Sequence, residues 1–260
     1  MNQIKRKREK WIEGKTTPVS LVANERSCSP TESFDEFSEE YNLFLDKAIR
    51  ITGYDAKNLV DAKLKKLKSL YPDLIEKRFH FLDYGCGIGN LYASVATFFP
   101  QVVYTGVDAS TKSIHDAQLR FSDNSCFHEL DSTKWESIKY DLIFSSGVFH
   151  HIPHQEHSSI IRRLSNLLNP NGKIVIWEHN PINPFTQKIV KDCVFDKDAV
   201  LIHSKTLKQH LKAAPLSKVN IMYTTFFPKI LSGLNVFDSF LGWLPLGGQY
   251  LVIGEKGNEP

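Results

Sequence analysis

The sequence lacks the features that mark membrane proteins and disulfide-stabilised secreted proteins. No stretch approaches the run of about 20 apolar residues that a membrane-spanning helix needs. The basic N-terminal residues are not followed by the apolar core of a secretory signal. The chain has only four cysteines, and their positions show no paired spacing. We therefore expect a cytoplasmic protein with no membrane span.

An excess of charge of one sign is found only at the N-terminus. The 260 residues carry a net charge of +3, yet residues 1–15 hold six basic against two acidic side chains, so the remainder is slightly acidic. The body of the protein therefore shows no sign of a polyanion-binding face, and we expect no stable nucleic-acid partner. We interpret residues 1–32 as a flexible basic segment; contact of this tail with nucleic acid or anionic lipid is the alternative.

Hydrophobic periodicity divides the rest of the chain into two parts. Residues 33–72 carry apolar residues at three- and four-residue spacing, which predicts two amphipathic helices. The lysines of the second helix, Lys63, Lys65, Lys66 and Lys68, are expected to face solvent. From residue 78 onward, strands are predicted near residues 79–84, 102–107, 125–130, 140–145, 173–178, 218–225 and 249–254, with helices between most of them. This alternation predicts an α/β fold with a largely parallel sheet and helices on both faces.

A glycine-rich turn follows the first predicted strand. Residues 81–90 read FLDYGCGIGN, with glycines at every second position from 85 to 89. Backbone without side chains lets a ligand approach closely, and the following residues continue as a helix. The spacing differs from the dinucleotide fingerprint G-x-G-x-x-G, because Asn90 stands where the third glycine would be. Asp83 would repel a pyrophosphate, whereas it suits a ligand with positive charge such as S-adenosylmethionine (SAM), which has an ammonium and a sulfonium.

The segment from Asp83 to Gly89 resembles the first motif of the class I SAM-dependent methyltransferases, and the resemblance extends over about residues 75–180. It implies a Rossmann-like three-layer sandwich with a seven-stranded, mostly parallel sheet, an antiparallel seventh strand beside the sixth, and extra N-terminal helices. It also implies that residues 33–72 cover the pocket of a core at 73–260, with lid insertions near 180–202 and 226–248. The chain looks like the small-molecule branch, similar to quinone-biosynthesis and bacterial sugar-modifying methyltransferases.

The resemblance also implies which residues hold SAM. Asp108 ends the second predicted strand, 25 residues after Asp83, where the family acid accepts hydrogen bonds from the ribose hydroxyls; the alternative is a helix cap before Ser110. Asp131 resembles the acid that receives the adenine amino group, or is a solvated loop carboxylate. The implied site comprises Asp83, Gly85, Cys86, Gly87, Asp108, Ala109, Asp131, Ser132, Ser145 and Tyr41.

The predicted catalytic residues follow the fourth and fifth strands. Methyl transfer depends mostly on positioning, and a base is needed only where the acceptor arrives protonated. His151 is the first candidate for that base and His150 the second, because both lie where the family site opens to its substrate. Glu178 and His179 end the fifth strand at the same rim and are further candidates. The alternative is that His150 or His151 only shapes the loop through a backbone hydrogen bond.

Two further interpretations concern histidines and aromatic rings. His150, His151, His154 and His157 are closely spaced, but no carboxylate or cysteine in the sequence completes a familiar ligand set, so we expect no metal. His154 and His157 are expected to face solvent at a helix start. The second insertion is rich in aromatic residues, for which we favour packing on the N-terminal helices over an apolar lid or a lipid-facing surface. These residues are Phe226, Phe227, Phe237, Phe240 and Trp243.

The sequence therefore predicts a SAM-dependent methyltransferase that modifies an oxygen, nitrogen or carbon of a small-molecule acceptor. A methyltransferase acting on RNA or protein is one alternative; the basic tail favours it, and the absence of an Asn-Pro-Pro-Tyr motif after the fourth strand argues against methylation of base amines. A non-catalytic SAM-binding protein and an NAD-dependent dehydrogenase are the others. The sequence leaves the acceptor undetermined and a weak homodimer open.

Overall fold

The computed structural model describes residues 56–121, 126–193, 196, 198–227, 233–234 and 237–258. The predicted basic segment, the first predicted helix and Tyr41 lie outside these residues. The second predicted helix is present and forms α1 (Ala56–Leu70). Within the described ranges, no helix has the length and apolar character needed to cross a membrane.

Strands and helices alternate along the described chain as the sequence predicts. The strands are β1 (Phe79–Tyr84), β2 (Val102–Asp108), β3 (Phe127–Glu129), β4 (Tyr140–Ser146), β5 (Leu168–His179), β6 (Lys218–Thr224) and β7 (Gln249–Glu255). The helices after α1 are α2 (Tyr92–Phe98), α3 (Thr111–Arg120), α4 (His157–Asn166), α5 (Pro184–Asp192), α6 (Ser204–Lys212) and α7 (Asp238–Leu241).

The seven strands form one sheet in the order β3-β2-β1-β4-β5-β7-β6. Strands β1 to β5 pair in parallel, and β7 pairs antiparallel with both β5 and β6. The predicted Rossmann-like α/β fold with a mostly parallel sheet is therefore confirmed, including the antiparallel last strand. The connections from β1 lead first to β2 on one side and later to β4 on the other, which creates a topological switch point between β1 and β4.

Successive residues of the central strands point to opposite faces of the sheet, which gives the protein two apolar cores. Leu82 of β1 packs with residues of α4 and α6 on one face. Phe81 packs with residues of α1, α2 and α3 on the other. Helices therefore cover both faces, and the ends of the strands remain available for a ligand site.

The two predicted lid segments contact each other. The Asn180 side-chain amide donates to the carbonyls of Pro245 and Gly247, at 3.1 and 2.8 Å. The hydroxyl of Thr186, at the start of α5, donates to the Gly248 carbonyl at 2.8 Å. Both segments are therefore fixed to the end of β5, beside the edge of the sheet where the strands finish.

The aromatic residues of the second segment do not share one environment. Phe226 packs partly buried against the core on the sheet face that α4 and α6 cover, whereas the described N-terminal helix α1 lies on the other face, so the expected packing on α1 is not seen for this ring. Phe240 and Trp243 are each 75% exposed, so the packing interpretation is wrong for these two rings.

Candidate functional site

The glycine turn after β1 is fixed to the end of β2. The amides of Gly85 and Cys86 donate to the Val107 carbonyl at 2.8 and 3.0 Å, and the amide of Gly87 donates to Asp108 Oδ2 at 2.8 Å. Because these three amides are already paired within the protein, the turn does not present them to a phosphate. Its geometry therefore argues against a pyrophosphate-binding site, as Asp83 does in the sequence.

Glycine is required at the first position of this turn. Gly85 has a φ of +82°, and a Cβ added there would lie 2.3 Å from Val148 Cγ2. Gly87 has a φ of +52°, and a Cβ there would meet no protein atom within 4 Å. The missing side chain of Gly85 therefore lets the turn pack closely against the loop after β4. The missing side chain of Gly87 leaves space open at the two cavities that this residue lines.

A first cavity of about 370 Å³ opens at the switch point. Asp108 and Ala109 at the end of β2 line one side, and Leu130, Val148 and Ile152 provide apolar surface. A volume above 300 Å³ with mostly apolar walls and few polar groups is typical of small-molecule sites. The position beyond the carboxyl ends of parallel strands is where such sheets bind ligands.

A second cavity of about 200 Å³ adjoins the first. Both cavities are lined by Gly85, Gly87, Ile88, Ser146, Gly147 and His151. The second cavity is also lined by Lys63, Asp83, Cys86, Trp177, His179 and Asp196, together with His150. His151 therefore lies where the two cavities meet, and most of the charged and titratable side chains lie on the second side.

Asp108 accepts two hydrogen bonds from the backbone. Its Oδ2 accepts from the Gly87 amide at 2.8 Å, and its Oδ1 accepts from the Ser110 amide at 2.9 Å. The cap of α3 is Ser110, whose hydroxyl accepts from the Ser113 amide at 3.0 Å. Asp108 is thus not the cap residue, and it lines the first cavity.

Asp83 is a buried acid at the wall of the second cavity. Its Oδ2 accepts a hydrogen bond of 2.7 Å from the Tyr104 hydroxyl, and only 4% of the residue is exposed. Burial raises the pKa of the Asp83 carboxyl to about 7, against the lowering effects of Tyr104 and Lys63. A ligand cation beside this carboxyl would favour its ionised form.

Glu178 holds the loop after β4 in place through hydrogen bonds. Its Oε1 accepts from the amides of Val148 and Phe149, at 3.0 and 2.8 Å, and its Oε2 lies 2.5 Å from His150 Nδ1. Burial alone would lower the pKa of His150, but Glu178 and Asp196 raise it to about 10. His150 is therefore protonated near neutral pH, which argues against its predicted role as a base, and both oxygens of Glu178 are occupied.

His151 and His179 face the second cavity in different environments. His151 Nε2 lies 3.3 Å from Asp196 Oδ1, and the His151 side chain is 15% exposed. Burial, followed by the positive charge of His150, lowers the pKa of His179 to about 4, so His179 is neutral near pH 7. Of the four predicted catalytic residues, only His151 lines both cavities.

The predicted SAM residues divide into two groups. Asp83, Gly85, Cys86, Gly87, Asp108 and Ala109 line one or both cavities. Asp131 is exposed, Ser132 is half-buried, and Ser145 is fully buried with no hydrogen-bond partner for its hydroxyl among the described residues. These three residues do not line the first cavity, whereas their neighbours Leu130 and Ser146 do. The assigned roles of these three residues stay predictions.

The structure corrects two expectations about exposed side chains. His157 is fully buried, and its Nε2 donates to the carbonyls of Phe149 and Ile152 at 3.0 Å each. Of the four lysines expected to face solvent, only Lys65 is exposed, and Lys63, Lys66 and Lys68 are half-buried. Lys63 lines the second cavity, where burial lowers its pKa to about 8. Helical periodicity places Lys63 beside Val60 and Leu64 as well as beside the other lysines, and this is the signal that could have found it.

Comparison with known proteins finds methyltransferases that are similar to this chain over the same region. A model of the methyltransferase domain matches residues 82–174. Trans-aconitate 2-methyltransferase of Methylobacterium radiotolerans is 31% identical over 111 residues, which cover 42% of each chain. An uncharacterised methyltransferase of Bacillus thuringiensis is 29% identical over 213 residues, which cover 79% of this chain and 86% of that one.

The fold comparison agrees with the sequence comparison. The crystal structure of a SAM-dependent methyltransferase from Archaeoglobus fulgidus superposes with a TM-score of 0.59 at 20% identity, and covers 83% of this chain and 99% of that one. The chain thus spans under half the length of one relative and most of the length of the other two. The chain therefore matches a methyltransferase domain over residues 82–174, and it shares its fold with a solved SAM-dependent methyltransferase.

Proposed function

We propose that this protein transfers the methyl group of SAM to a small-molecule acceptor that binds in the second cavity. The supporting observation is the pair of cavities that meet at His151, with Asp108 on one side and Asp83 on the other. The adenosyl part of SAM occupies the first cavity, and its ammonium group faces Asp83. The sulfonium methyl then lies at the junction, beside the acceptor.

The residues at the junction have separate roles in this proposal. Asp108 accepts from the ribose hydroxyls, and Ala109 and Leu130 contact the adenine ring. His151 and its partner Asp196 activate the acceptor atom, since they lie where the cavities meet. Glu178 and His150 position this pair by fixing the loop after β4. The volume of the second cavity, about 200 Å³, favours a small acceptor over RNA or protein.

Calorimetry with S-adenosylhomocysteine (SAH) and with NADH tests the cofactor. We expect SAH to bind and NADH not to bind, because the turn amides of Gly85, Cys86 and Gly87 are paired internally and do not present donors to a pyrophosphate. Release of SAH from SAM is then measured with panels of hydroxyl, carboxylate and amine acceptors. Binding of NADH alone would contradict the proposal, and SAH binding without turnover on any acceptor would identify a non-catalytic SAM-binding protein.

Replacing Asp108 by alanine is expected to weaken SAH binding by about 1–3 kcal/mol, the range for losing hydrogen bonds to a charged group. Part of this loss comes from the missing hydrogen bonds to the ribose hydroxyls. The other part comes from the Gly87 amide, which loses its acceptor. Glu129→Ala, at the end of neighbouring β3, is the control and should bind SAH like the wild type. Calorimetry measures both variants, and an unchanged dissociation constant for Asp108→Ala would remove this residue from the site.

A further inference from the structure

Three side chains with metal-binding atoms converge at the second cavity. His150 Nε2 and His151 Nε2 each lie 3.3 Å from Asp196 Oδ1, and the ligand atoms of all three residues lie within 4.8 Å of one another. The two histidines follow β4, whereas Asp196 comes 46 residues after His150, in the first insertion. We propose that His150, His151 and Asp196 bind a divalent transition-metal ion of the zinc type.

The separations fit the coordination geometry of such an ion. Bonds of about 2.1 Å from a metal to imidazole nitrogen and carboxylate oxygen place tetrahedral ligand atoms about 3.4 Å apart. The observed separations of 3.3 Å between Asp196 Oδ1 and each histidine are close to that value. Two imidazoles and one carboxylate are a common ligand set for divalent transition metals, and they leave at least one position open.

Glu178 supplies the support that metal-bound histidines usually have. Its Oε2 lies 2.5 Å from His150 Nδ1, on the side of the ring opposite Asp196. Binding of the ion displaces the proton from His150 Nε2, and a hydrogen bond from Nδ1–H to the Glu178 carboxylate then directs the freed Nε2 lone pair to the ion and fixes the ring. The amides of Val148 and Phe149 hold Glu178 Oε1 in turn, so the support is itself anchored.

Burial and charge also suit a cation. The side chains of His150, His151 and Asp196 are 2%, 15% and 13% exposed, so water competes little for their ligand atoms. The carboxylates of Glu178 and Asp196 flank His150 and bring two negative charges to the cluster. The cluster borders the second cavity, which gives an acceptor molecule access to the open coordination position.

The role of the ion rests on the proposed function. An acceptor hydroxyl bound to the ion loses its proton to water more easily, because the metal charge stabilises the oxyanion. The oxygen lone pair then forms the bond to the methyl carbon, the carbon–sulfur bond breaks, and its electron pair returns to sulfur to give SAH. The proposed substrate class is therefore a small acceptor with an ionisable oxygen that can bind a metal.

Metal titration of the full chain without a polyhistidine tag tests the site. After treatment with EDTA and desalting, calorimetry with zinc chloride should show one ion bound per chain. Asp196→Asn and His151→Ala should each weaken binding more than about 100-fold, since even loss of a supporting residue costs about 10–100-fold. The matched controls Asp198→Asn and His154→Ala remove the same chemical groups from exposed neighbouring positions and should bind zinc like the wild type.

A second readout uses cobalt(II) chloride. The wild type should show the strong visible absorption of a four- or five-coordinate cobalt ion, and Asp196→Asn should lose it. SAH calorimetry on the same variants shows that they are folded and that the first cavity is intact. Zinc binding that is absent in the wild type, or equal in Asp196→Asn, would overturn the site.

Turnover measurements test separately whether the metal site exists and whether its ion takes part in methyl transfer. Turnover that is lost with EDTA and restored with zinc supports metal-assisted methyl transfer. Turnover that persists in EDTA overturns the metal's role and leaves His151 to act without an ion. One zinc ion bound at the wild-type site, with no turnover on any acceptor, supports the site while the proposed function fails.

Discussion

Replacing Glu178 by alanine is expected to lower the free energy of unfolding by about 3–5 kcal/mol, the cost of removing one partner of a buried ion pair. Glu178 is 2% exposed, and it accepts from two backbone amides as well as pairing with His150. Without it, the amides of Val148 and Phe149 lose their acceptor, and the protonated imidazole keeps only Asp196. The variant therefore leaves several buried polar groups unsatisfied at once.

Urea denaturation of the wild type and the variant measures this loss. Glu76→Ala is the matched control, because Glu76 is exposed, and its change should stay within about 0.5 kcal/mol. Glu178→Gln keeps an oxygen for the two amides while removing the charge, and should fall between the other two variants. A loss below about 1 kcal/mol for Glu178→Ala, with an unchanged denaturant slope, would contradict the assigned role.

In the proposed binding mode the ammonium group of SAH pairs with ionised Asp83, so the affinity for SAH is expected to fall about 100-fold between pH 8 and pH 5. Burial raises the pKa of Asp83 to about 7 in the free protein. Below that pH the neutral acid predominates, and each further unit removes about tenfold of the binding-competent form. Tyr104 and Lys63 oppose the shift and Asp108 adds to it, so these are the charged and titratable groups that face Asp83.

Adenosine, which lacks the ammonium group, provides the control for this pH dependence. Its affinity should change little over the same range, since the proposal places the adenosyl part in the first cavity, which Asp83 does not line. In Asp83→Asn the SAH affinity should be low and nearly independent of pH. Equal slopes for SAH and adenosine would show that another group controls the pH dependence.

The sequence predicts the sheet and the glycine turn because both depend on local patterns. The strand positions follow from apolar runs separated by helices, and the order of the motifs matches the order of β1 to β4. Asp83 is the last residue but one of β1 and Asp108 ends β2, so the parallel arrangement alone brings them to the same edge. The family and the cofactor could therefore be inferred before any tertiary contact was known.

The acceptor side could not be predicted in the same way. No carboxylate or cysteine near the histidines after β4 completes a familiar ligand set in the sequence, yet Asp196 reaches them from an insertion 46 residues away from His150. Nothing in the local pattern of Asp196 distinguishes it from the nearby exposed Asp198. Only the tertiary path of this insertion, which is tied to the end of β5, brings the carboxylate to the cavity.

The strand order also constrains how this protein forms during synthesis. Within the part of the chain that the structure describes, β6 hydrogen-bonds to the sheet through β7, and β7 is made later. On the ribosome, β6 therefore waits as an exposed strand without its neighbour until residues 249–255 have left the exit tunnel. The pairing of β6 and β7 at the edge of the sheet therefore forms last. Strands β1 to β5, whose connecting loops carry the glycine turn, His150 and His151, complete their pairing earlier.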